Sequence, residues 1–400
     1  MFQTIFYRSI SSISTLLFTF LSTSIYGLEA VGELAIFLSL SAFIFVFIKF
    51  GMDIPLFVDL TKTSNNNKFG VLVHYRKMQN IIFSLYLLFI PLLYFYQINH
   101  IILLYITGLF MSKITLNSFA VRSFGYQNLF VLFQNGNANF FGLFFLFLFK
   151  DLSLNNPIIL SFFFGNFLLF LLSHFATKHV FNINGSLISQ NKRFESYKIL
   201  KDSFIYFCLE IVNNIFTWTP LFVIYFLFSA VEQGIYLNIS RIGSVFIILL
   251  FILETIVMKD VALLSSKSKF DMISPQIQKP KIQILSLAFL IFIPLVFFGD
   301  LLLSIIDKNL SGLNNMLILF SLSQIVVLCF GPLALFMKVS ENHRKMLNIV
   351  IISSSLNVLF SFIFAIYFGL IGIFISSIIG NMTWCIIILV YIKRKYGIIL

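Results

Sequence analysis

The amino-acid sequence predicts an all-α polytopic membrane protein with about twelve transmembrane helices in two six-helix lobes. Its 400 residues are 59% hydrophobic and only 10% charged, which leaves too few charges for the surface of a soluble domain of this length. The apolar residues lie in long uninterrupted runs, and a helix needs about 20 such residues to cross a bilayer. The runs fall at 9–27, 32–50, 78–96, 100–120, 129–149, 157–176, 203–228, 233–256, 282–299, 313–337, 346–368 and 370–392.

The first predicted helix carries a polar stripe at helical spacing. The stripe consists of Arg8, Ser12, Thr15, Thr19, Ser22 and Tyr26. Inside a membrane such a stripe faces protein or water, so it either joins helices through its hydroxyl groups or lines a lumen. The second helix ends in the segment KFGMDIP, where Gly51 and Pro55 break it at the cytoplasmic surface.

Two further polar features lie in the fourth and fifth helices. Lys113 is about 20 Å from the outer end of the fourth helix at the usual rise per residue, so it either reaches back to the inner surface or points into a cavity. The fifth helix opens with Gln134, Asn135, Asn137 and Asn139. This patch predicts hydrogen bonds between helices.

A polar loop near the middle divides the chain into an N-terminal six-helix lobe (1–176), a cytoplasmic linker (177–202) and a C-terminal six-helix lobe (203–400). A shift that aligns Gly32 with Gly234 also aligns Thr15 with Thr217. Six helices return the chain to the side where it started. The lobes are therefore predicted to be parallel repeats related by a pseudo-two-fold axis along the membrane normal.

The seventh helix repeats the stripe of the first, with a carboxylate in place of the cation. Its polar residues are Ser203, Tyr206, Glu210, Asn213 and Thr217. Buried carboxylates in transporters carry protons or coordinate cations, so Glu210 either does this or pairs with a basic residue such as Lys201 or Arg8. The eleventh helix presents Asn357 on a polar face. We take Glu210, Asn213 and Asn357 as candidates for ion coupling.

The eighth helix contains Arg241, about 10 Å from its start. A cation at the centre of a membrane helix costs about 2.5–3.5 kcal/mol and usually faces a bundle interior or a water-filled cavity. Gly234, Asn238, Arg241 and Ser244 share one helical face, which favours a cavity. In the other interpretation, Arg241 reaches the headgroups or pairs with a carboxylate such as Glu232.

The charge distribution predicts the orientation. With both termini inside, the 27 basic residues fall in cytoplasmic segments except Lys113, Lys150, Arg241 and Lys308. Topology and anionic lipid therefore account for the net charge of +12, and no nucleic-acid partner is expected. The three cysteines lie in apolar runs, and neither a metal-binding HExxH motif nor a Walker motif is present. The outer connections are too short for a catalytic domain, so we do not expect an enzyme.

Four segments resemble a known family. The short outer turn YGLEAVGELAIF, the KFGMD break, the second-lobe segment AVEQGIYLNISRIGS and the GLIGIF turn before the last helix resemble Wzx-type flippases of polysaccharide and O-antigen repeat units. These belong to the multidrug/oligosaccharidyl-lipid/polysaccharide exporter superfamily, which also holds MATE exporters and lipid II flippases. The resemblance covers most of the chain.

The resemblance implies a multi-pass protein of the bacterial cytoplasmic (inner) membrane, with both termini in the cytoplasm. Its activity would be translocation of an undecaprenyl-diphosphate-linked oligosaccharide, an O-antigen or capsule repeat unit, by alternating access. Membrane lipid, a polysaccharide polymerase and a chain-length regulator are the further partners in lipopolysaccharide or capsule biosynthesis. No cofactor is expected beyond a coupling Na⁺ or H⁺.

The candidate substrate site follows from the chemistry of a diphosphate. That anion needs cations in a dry environment, which Arg241, Arg8, Lys113 and Arg122 could supply, while Thr15 and Asn238 could bind sugar hydroxyls. Two rivals stay open. A cation-coupled MATE-type drug exporter should carry acidic residues in its cavity, where this chain offers chiefly Glu210 and Glu254. A membrane-embedded glycosyltransferase would need a catalytic motif, and the loop acids Asp53 and Asp59 show none.

Overall fold

The computed structural model describes residues 2–64, 67–87, 100–134, 137–152, 154, 156–183, 196–266, 272–339 and 343–397, without the side chains of residues 2–8 and of several residues beside the gaps. This part of the chain is helical and contains no strand, so the predicted all-α class is confirmed. The helices are α1 (Phe2–Lys49), α2 (Asp53–Lys62), α3 (Lys68–Leu87), α4 (Ile101–Arg122), α5 (Gln127–Leu132), α6 (Ala138–Leu148), α7 (Pro157–Ile183), α8 (Ser196–Leu227), α9 (Ala230–Gly243), α10 (Val245–Ser266), α11 (Ile273–Ile306), α12 (Asn314–Phe330), α13 (Leu333–Val339) and α14 (His343–Tyr396).

Both predicted turns within the long helices centre on a glycine with positive φ. Gly27 interrupts α1 at φ 84° and Gly369 interrupts α14 at φ 64°, values that glycine adopts without a steric penalty. Ser361 and Ser376, on either side of Gly369, hydrogen-bond at 3.0 Å, whereas fifteen residues of straight helix would separate them by about 22 Å. α1 and α14 are therefore each a hairpin of two antiparallel halves.

Three of the predicted spans are broken. The predicted span 129–149 is divided into α5 and α6, where Asn137 donates hydrogen bonds to the carbonyl oxygens of Val131 and Leu132 at 3.0 and 2.8 Å. These bonds satisfy backbone groups that a broken helix would otherwise leave unpaired in lipid. The span 233–256 is interrupted at Ser244, between α9 and α10. The span 313–337 is interrupted at Gly331, which has a φ of 80° and lies between α12 and α13.

The helices form two compact units. Unit 1 comprises Met1–Phe18 and Phe37–Asn214, and unit 2 comprises Thr19–Ile36 and Ile215–Leu400. The tip of the first hairpin thus belongs to the same unit as the C-terminal helices. The lobe boundaries at 176 and 203 stay a prediction, and residues 184–195 of the linker lie outside the described part of the chain.

Unit 1 is held by apolar packing among α2, α3 and α4. Leu56, Leu60, Leu72 and Leu116 form its core and are fully buried. The two halves of α1 meet on α7, because Phe18 and Phe37 both pack on Phe162 at 6.4 and 6.2 Å between ring centroids.

In unit 2 the two glycines that the sequence aligns lie at one crossing between helices. A Cβ on Gly32 would lie 1.8 Å from the carbonyl oxygen of Ala230, and a Cβ on Gly234 would lie 2.1 Å from that of Leu28. Only glycine allows backbones to approach so closely in a membrane bundle. The first hairpin and α9 therefore meet backbone to backbone.

The outer surface carries large apolar side chains. On α11, Phe297, Ile305 and Leu290 are 76%, 75% and 68% exposed, as expected of a helix in contact with lipid rather than water. Seven helices or helix pairs in the described part of the chain are long and apolar enough to cross a membrane.

Candidate functional site

A charged centre lies at the junction of α1, α2 and α8 in unit 1. The Nζ atom of Lys49 donates hydrogen bonds to Oδ2 of Asp53 at 3.2 Å and to Oε1 of Glu210. The side chains of Lys49 and Asp53 are 5% and 8% exposed, and that of Glu210 is 28% exposed. One ammonium thus bonds two carboxylates.

The turn between α1 and α2 brings these charges together. Phe50 and Gly51 have φ values of 50° and 64°, which reverse the chain so that Asp53 begins α2 four residues after Lys49. The Phe50 ring stacks on Phe207 with 4.2 Å between centroids, and a Cβ on Gly51 would lie 2.4 Å from the backbone nitrogen of Phe207. The turn is therefore seated on α8, and Glu210 follows Phe207 by one helical turn.

Glu210 pairs with a basic residue, which is one of the two interpretations that the sequence leaves open, and the partner that the structure describes is Lys49. Lys49 ends a predicted span at the KFGMDIP break, and its side chain is buried. One part of this centre is indicated by the sequence, because the KFGMD segment places Lys49 and Asp53 four residues apart, a spacing at which side chains of opposite charge form ion pairs. No local pattern in the sequence indicates that Lys49 pairs with Glu210. Asn213 lies one turn beyond Glu210 and is exposed, and its role in ion coupling stays a prediction.

The other candidates in unit 1 lie in different surroundings. Arg122 is enclosed by the rings of Phe57, Phe119 and Phe130, at 5.1, 6.0 and 4.6 Å from its guanidinium carbon, an arrangement that holds a cation by its attraction to aromatic faces. The side chain of Lys113 is only partly exposed. The side chain of Arg8 lies outside the described part of the chain.

Thr15 joins two helices. Its Oγ1 accepts a hydrogen bond from Nδ2 of Asn139 at 2.8 Å and donates to the backbone carbonyl of Ser11 at 2.9 Å. The bond to Asn139 joins α1 to α6, as expected if the polar stripe joins helices through its hydroxyl groups. A role of Thr15 in binding sugar stays a prediction.

Arg241 lies in the last turn of α9 in unit 2. Its side chain is partly exposed, and its Nε is buried without a hydrogen-bond partner. The expected alternative partner, Glu232, instead completes a capping box at the start of α9 with Ser229, whose backbone nitrogen donates to it at 3.1 Å. Within the described residues Arg241 makes no ion pair.

Asn238 and Asn357 are buried and bonded to protein. Nδ2 of Asn238 donates to Oγ1 of Thr23 and to the carbonyl oxygen of Gly234, both at 2.9 Å. Nδ2 of Asn357 donates to the carbonyl oxygen of Phe216 at 3.1 Å. Both amides link helices within unit 2, and their predicted roles in binding sugar and coupling ions stay predictions.

Comparisons with known proteins identify the fold. No protein-family model matches the chain, and no curated protein matches it in sequence. Among solved structures, the lipid II flippase MurJ in an inward closed conformation superposes with a TM-score of 0.75 at 15% identity over 98% of this chain and 88% of that chain. An inward-facing MATE-family multidrug resistance transporter of the MOP superfamily gives 0.69 at 13% identity over 98% of both chains.

A third structure with this fold is a MOP-superfamily transporter from Pyrococcus furiosus. It superposes with a TM-score of 0.61 at 14% identity over 99% of this chain and 94% of that chain. The chain therefore has the polytopic helical fold shared by these flippases and exporters. At identities of 13–15% the likeness establishes the fold, and substrate and direction of transport must be argued from the residues.

Proposed function

We propose that this protein is a flippase that moves an undecaprenyl-diphosphate-linked oligosaccharide across the bacterial cytoplasmic membrane. The oligosaccharide is the repeat unit of an O-antigen or a capsule, and both termini of the protein lie in the cytoplasm. Transport proceeds by alternating access, in which a central site opens in turn to each side. A polysaccharide polymerase and a chain-length regulator then act on the delivered unit. The fold shared with a lipid II flippase supports this proposal.

The observation that carries the proposal is the guanidinium of Arg241. It is partly exposed, its Nε has no hydrogen-bond partner, and it makes no ion pair within the described part of the chain. A cation within a membrane helix and without a carboxylate partner is unfavourable until an anion binds it. The planar guanidinium suits a diphosphate, which it can contact through two parallel hydrogen bonds. From the sequence we further propose Arg8, Lys113 and Arg122 as cations for the diphosphate, and Thr15 and Asn238 as residues for the sugar.

The charged centre at Lys49 is the proposed coupling device. Oδ1 of Asp53 is buried without a hydrogen-bond partner, and Glu210 is reachable from solvent. A proton or Na⁺ that binds Glu210 would neutralise its carboxylate, and the Lys49 ammonium would then form an ion pair with Asp53 only. Such a change in a buried ion pair alters the packing of α1 against α8, which is the kind of two-state element that ion coupling requires. Asn213 and Asn357 are the further proposed coupling residues.

One observation favours the second candidate function, a cation-coupled MATE-type drug exporter. The centre in unit 1 brings two carboxylates together, those of Asp53 and Glu210, and carboxylates are the groups that bind organic cations. Arg241 opposes this alternative, because an uncompensated cation repels them. The glycosyltransferase alternative has less support, since Asp53 is bonded to Lys49 and Asp59 accepts a hydrogen bond from Tyr75 at 2.7 Å.

The deciding experiment measures on which leaflet the lipid-linked oligosaccharide accumulates in a strain that lacks the gene. An impermeant reagent labels the sugar first in intact spheroplasts and then in opened ones. We expect complete repeat units to be labelled only after opening. Incomplete units would indicate a transferase. Complete units on the outer face would overturn the flippase proposal. Efflux of a fluorescent organic cation would then test the exporter alternative.

A further inference from the structure

A second group of basic side chains lies between α3, α4 and α7 in unit 1, apart from the Lys49 centre. It consists of Arg76 on α3, Lys113 on α4, and His174 and Lys178 on α7. Asn117 joins Arg76 to Ser173 by hydrogen bonds. Lys113 lies one helical turn before Asn117 on α4, His174 follows Ser173 on α7, and Lys178 lies one turn further along α7. Three helices thus bring four basic groups to one place, although the sequence separates them by up to about a hundred positions.

A chain of hydrogen bonds fixes the position of Arg76. Nη2 of Arg76 donates to Oδ1 of Asn117 at 2.5 Å, Nδ2 of Asn117 donates to Oγ of Ser173 at 3.0 Å, and Ser173 donates to the carbonyl oxygen of Phe170 at 2.8 Å. Asn117 and Ser173 are 1% and 0% exposed. The guanidinium is therefore held by neutral groups, and its charge is left without a counterion.

The protein supplies no counterion to this basic cluster in the part that the structure describes. The two ion pairs of the described residues both involve Lys49, and none of the four basic groups has any further polar contact there beyond the bond from Arg76 to Asn117. Basic residues grouped near the end of a membrane helix attract an anion from outside the protein.

The depth and the surroundings of the cluster indicate what that anion is. Lys178 and His174 lie about 8 and 13 Å from the end of α7 at the usual helical rise, which is the zone where lysine and arginine reach toward lipid phosphates. Beside them Phe175 and Leu172 are 64% and 42% exposed. Phe175, Lys178, His179 and Asn182 line a shallow depression of about 230 Å³ on the same helix. Cations thus adjoin apolar surface that suits an acyl chain.

We propose that the basic cluster of Arg76, Lys113, His174 and Lys178 binds the phosphate of an anionic membrane lipid. Basic pockets between transmembrane helices are sites at which anionic headgroups bind. The lipid phosphate neutralises the cluster, and its acyl chains lie on Leu172 and Phe175. Lys113 is also among the cations proposed for the substrate, whereas Arg76, His174 and Lys178 belong to the lipid site alone.

The test measures lipid binding to the purified full-length protein in neutral detergent by native mass spectrometry. Phosphatidylglycerol, phosphatidylcholine and inorganic phosphate are titrated separately. The test variant is Lys113→Gln with Lys178→Gln, which leaves the hydrogen bonds of Arg76 intact. Lys279→Gln on α11 is the matched control, because it removes one exposed lysine elsewhere. Unfolding temperatures without lipid confirm that all variants are folded.

We expect the wild type to retain phosphatidylglycerol over phosphatidylcholine, and the double variant to bind phosphatidylglycerol roughly thirtyfold more weakly. The control variant should bind it as the wild type does. Equal binding by the double variant, or an equal loss in the control, would overturn the proposal. Displacement of the lipid by inorganic phosphate at matching concentration would show a site for free phosphate and overturn the lipid assignment. Binding is read without transport, so failure of the flippase proposal leaves this result unaffected.

Discussion

Lys49 and Glu210 are separated by 161 positions in the sequence and form an ion pair in which the ammonium is almost fully buried. Lys49 ends α1 and Glu210 lies within α8, so the pair ties the first hairpin of unit 1 to the helix that leads out of that unit. Since Asp53 bonds the same ammonium, removal of Lys49 affects two carboxylates, whereas removal of Glu210 leaves Lys49 with one partner. This difference between Lys49 and Glu210 gives the first prediction.

We expect Lys49→Met to destabilise the protein by about 3–5 kcal/mol, because it leaves two carboxylates without their counterion. Glu210→Gln should cost about 1–3 kcal/mol, because Lys49 keeps Asp53. The double variant should be less destabilised than the sum of the single variants. Unfolding midpoints in one detergent measure the order. If Glu210→Gln were the more damaging change, the pair would not have the role assigned to it.

Arg241 gives the second prediction, in which stability and transport change differently. Arg241→Met removes an unpaired cation, so the unfolding midpoint should stay the same or rise, while translocation of the lipid-linked oligosaccharide should be lost. Arg241→Lys keeps the charge without the planar fork and should retain part of the activity. Leaflet labelling at equal protein level measures the transport. Full activity of the methionine variant would remove Arg241 from the proposed mechanism.

The crossing of Gly32 and Gly234 gives the third prediction. Gly32→Ala places a methyl group 1.8 Å from the Ala230 carbonyl oxygen, so the helices must separate, and we expect a loss of about 3 kcal/mol or more. Gly312→Ala is the matched control: its φ of 84° strains alanine, but no atom lies within 4 Å of the added Cβ. We expect about 1–2 kcal/mol there. Equal losses in the two unfolding midpoints would contradict the close crossing.

The parts of the fold that are local in sequence were predictable. Apolar runs of membrane-spanning length gave the helices, and Gly27 and Gly369 marked the two hairpins because positive φ is a property of a single residue. The break at Asn137 was not predicted, because a group of asparagines is compatible both with hydrogen bonds between helices and with a break in one helix. Helical spacing tells which residues share a face and does not tell what lies opposite. The partner of Glu210 and the surroundings of Arg76 depend on the packing of distant helices, and the sequence could not provide them.

Asn238 gives the fourth prediction, because two roles compete for it. The sequence places it beside Arg241 as a sugar-binding residue, and the structure bonds its amide to Thr23. Hydrogen bonds between membrane helices contribute about 0.6–1.7 kcal/mol, so Asn238→Ala and Thr23→Val should each lower the unfolding midpoint modestly. The double variant should lose no more than Asn238→Ala alone, since that change already removes the bond to Thr23.

Transport by the same variants separates the two roles. If Asn238 only joins helices, Thr23→Val should reduce translocation about as much as Asn238→Ala does, because both remove the bond between the two helices. If Asn238 also binds substrate, Asn238→Ala should reduce translocation well beyond the effect of Thr23→Val at equal stability. The buried position of the amide, with 0% exposure, favours the first outcome. A large additional effect in Asn238→Ala would mean that the crossing opens during transport and exposes the amide to the sugar.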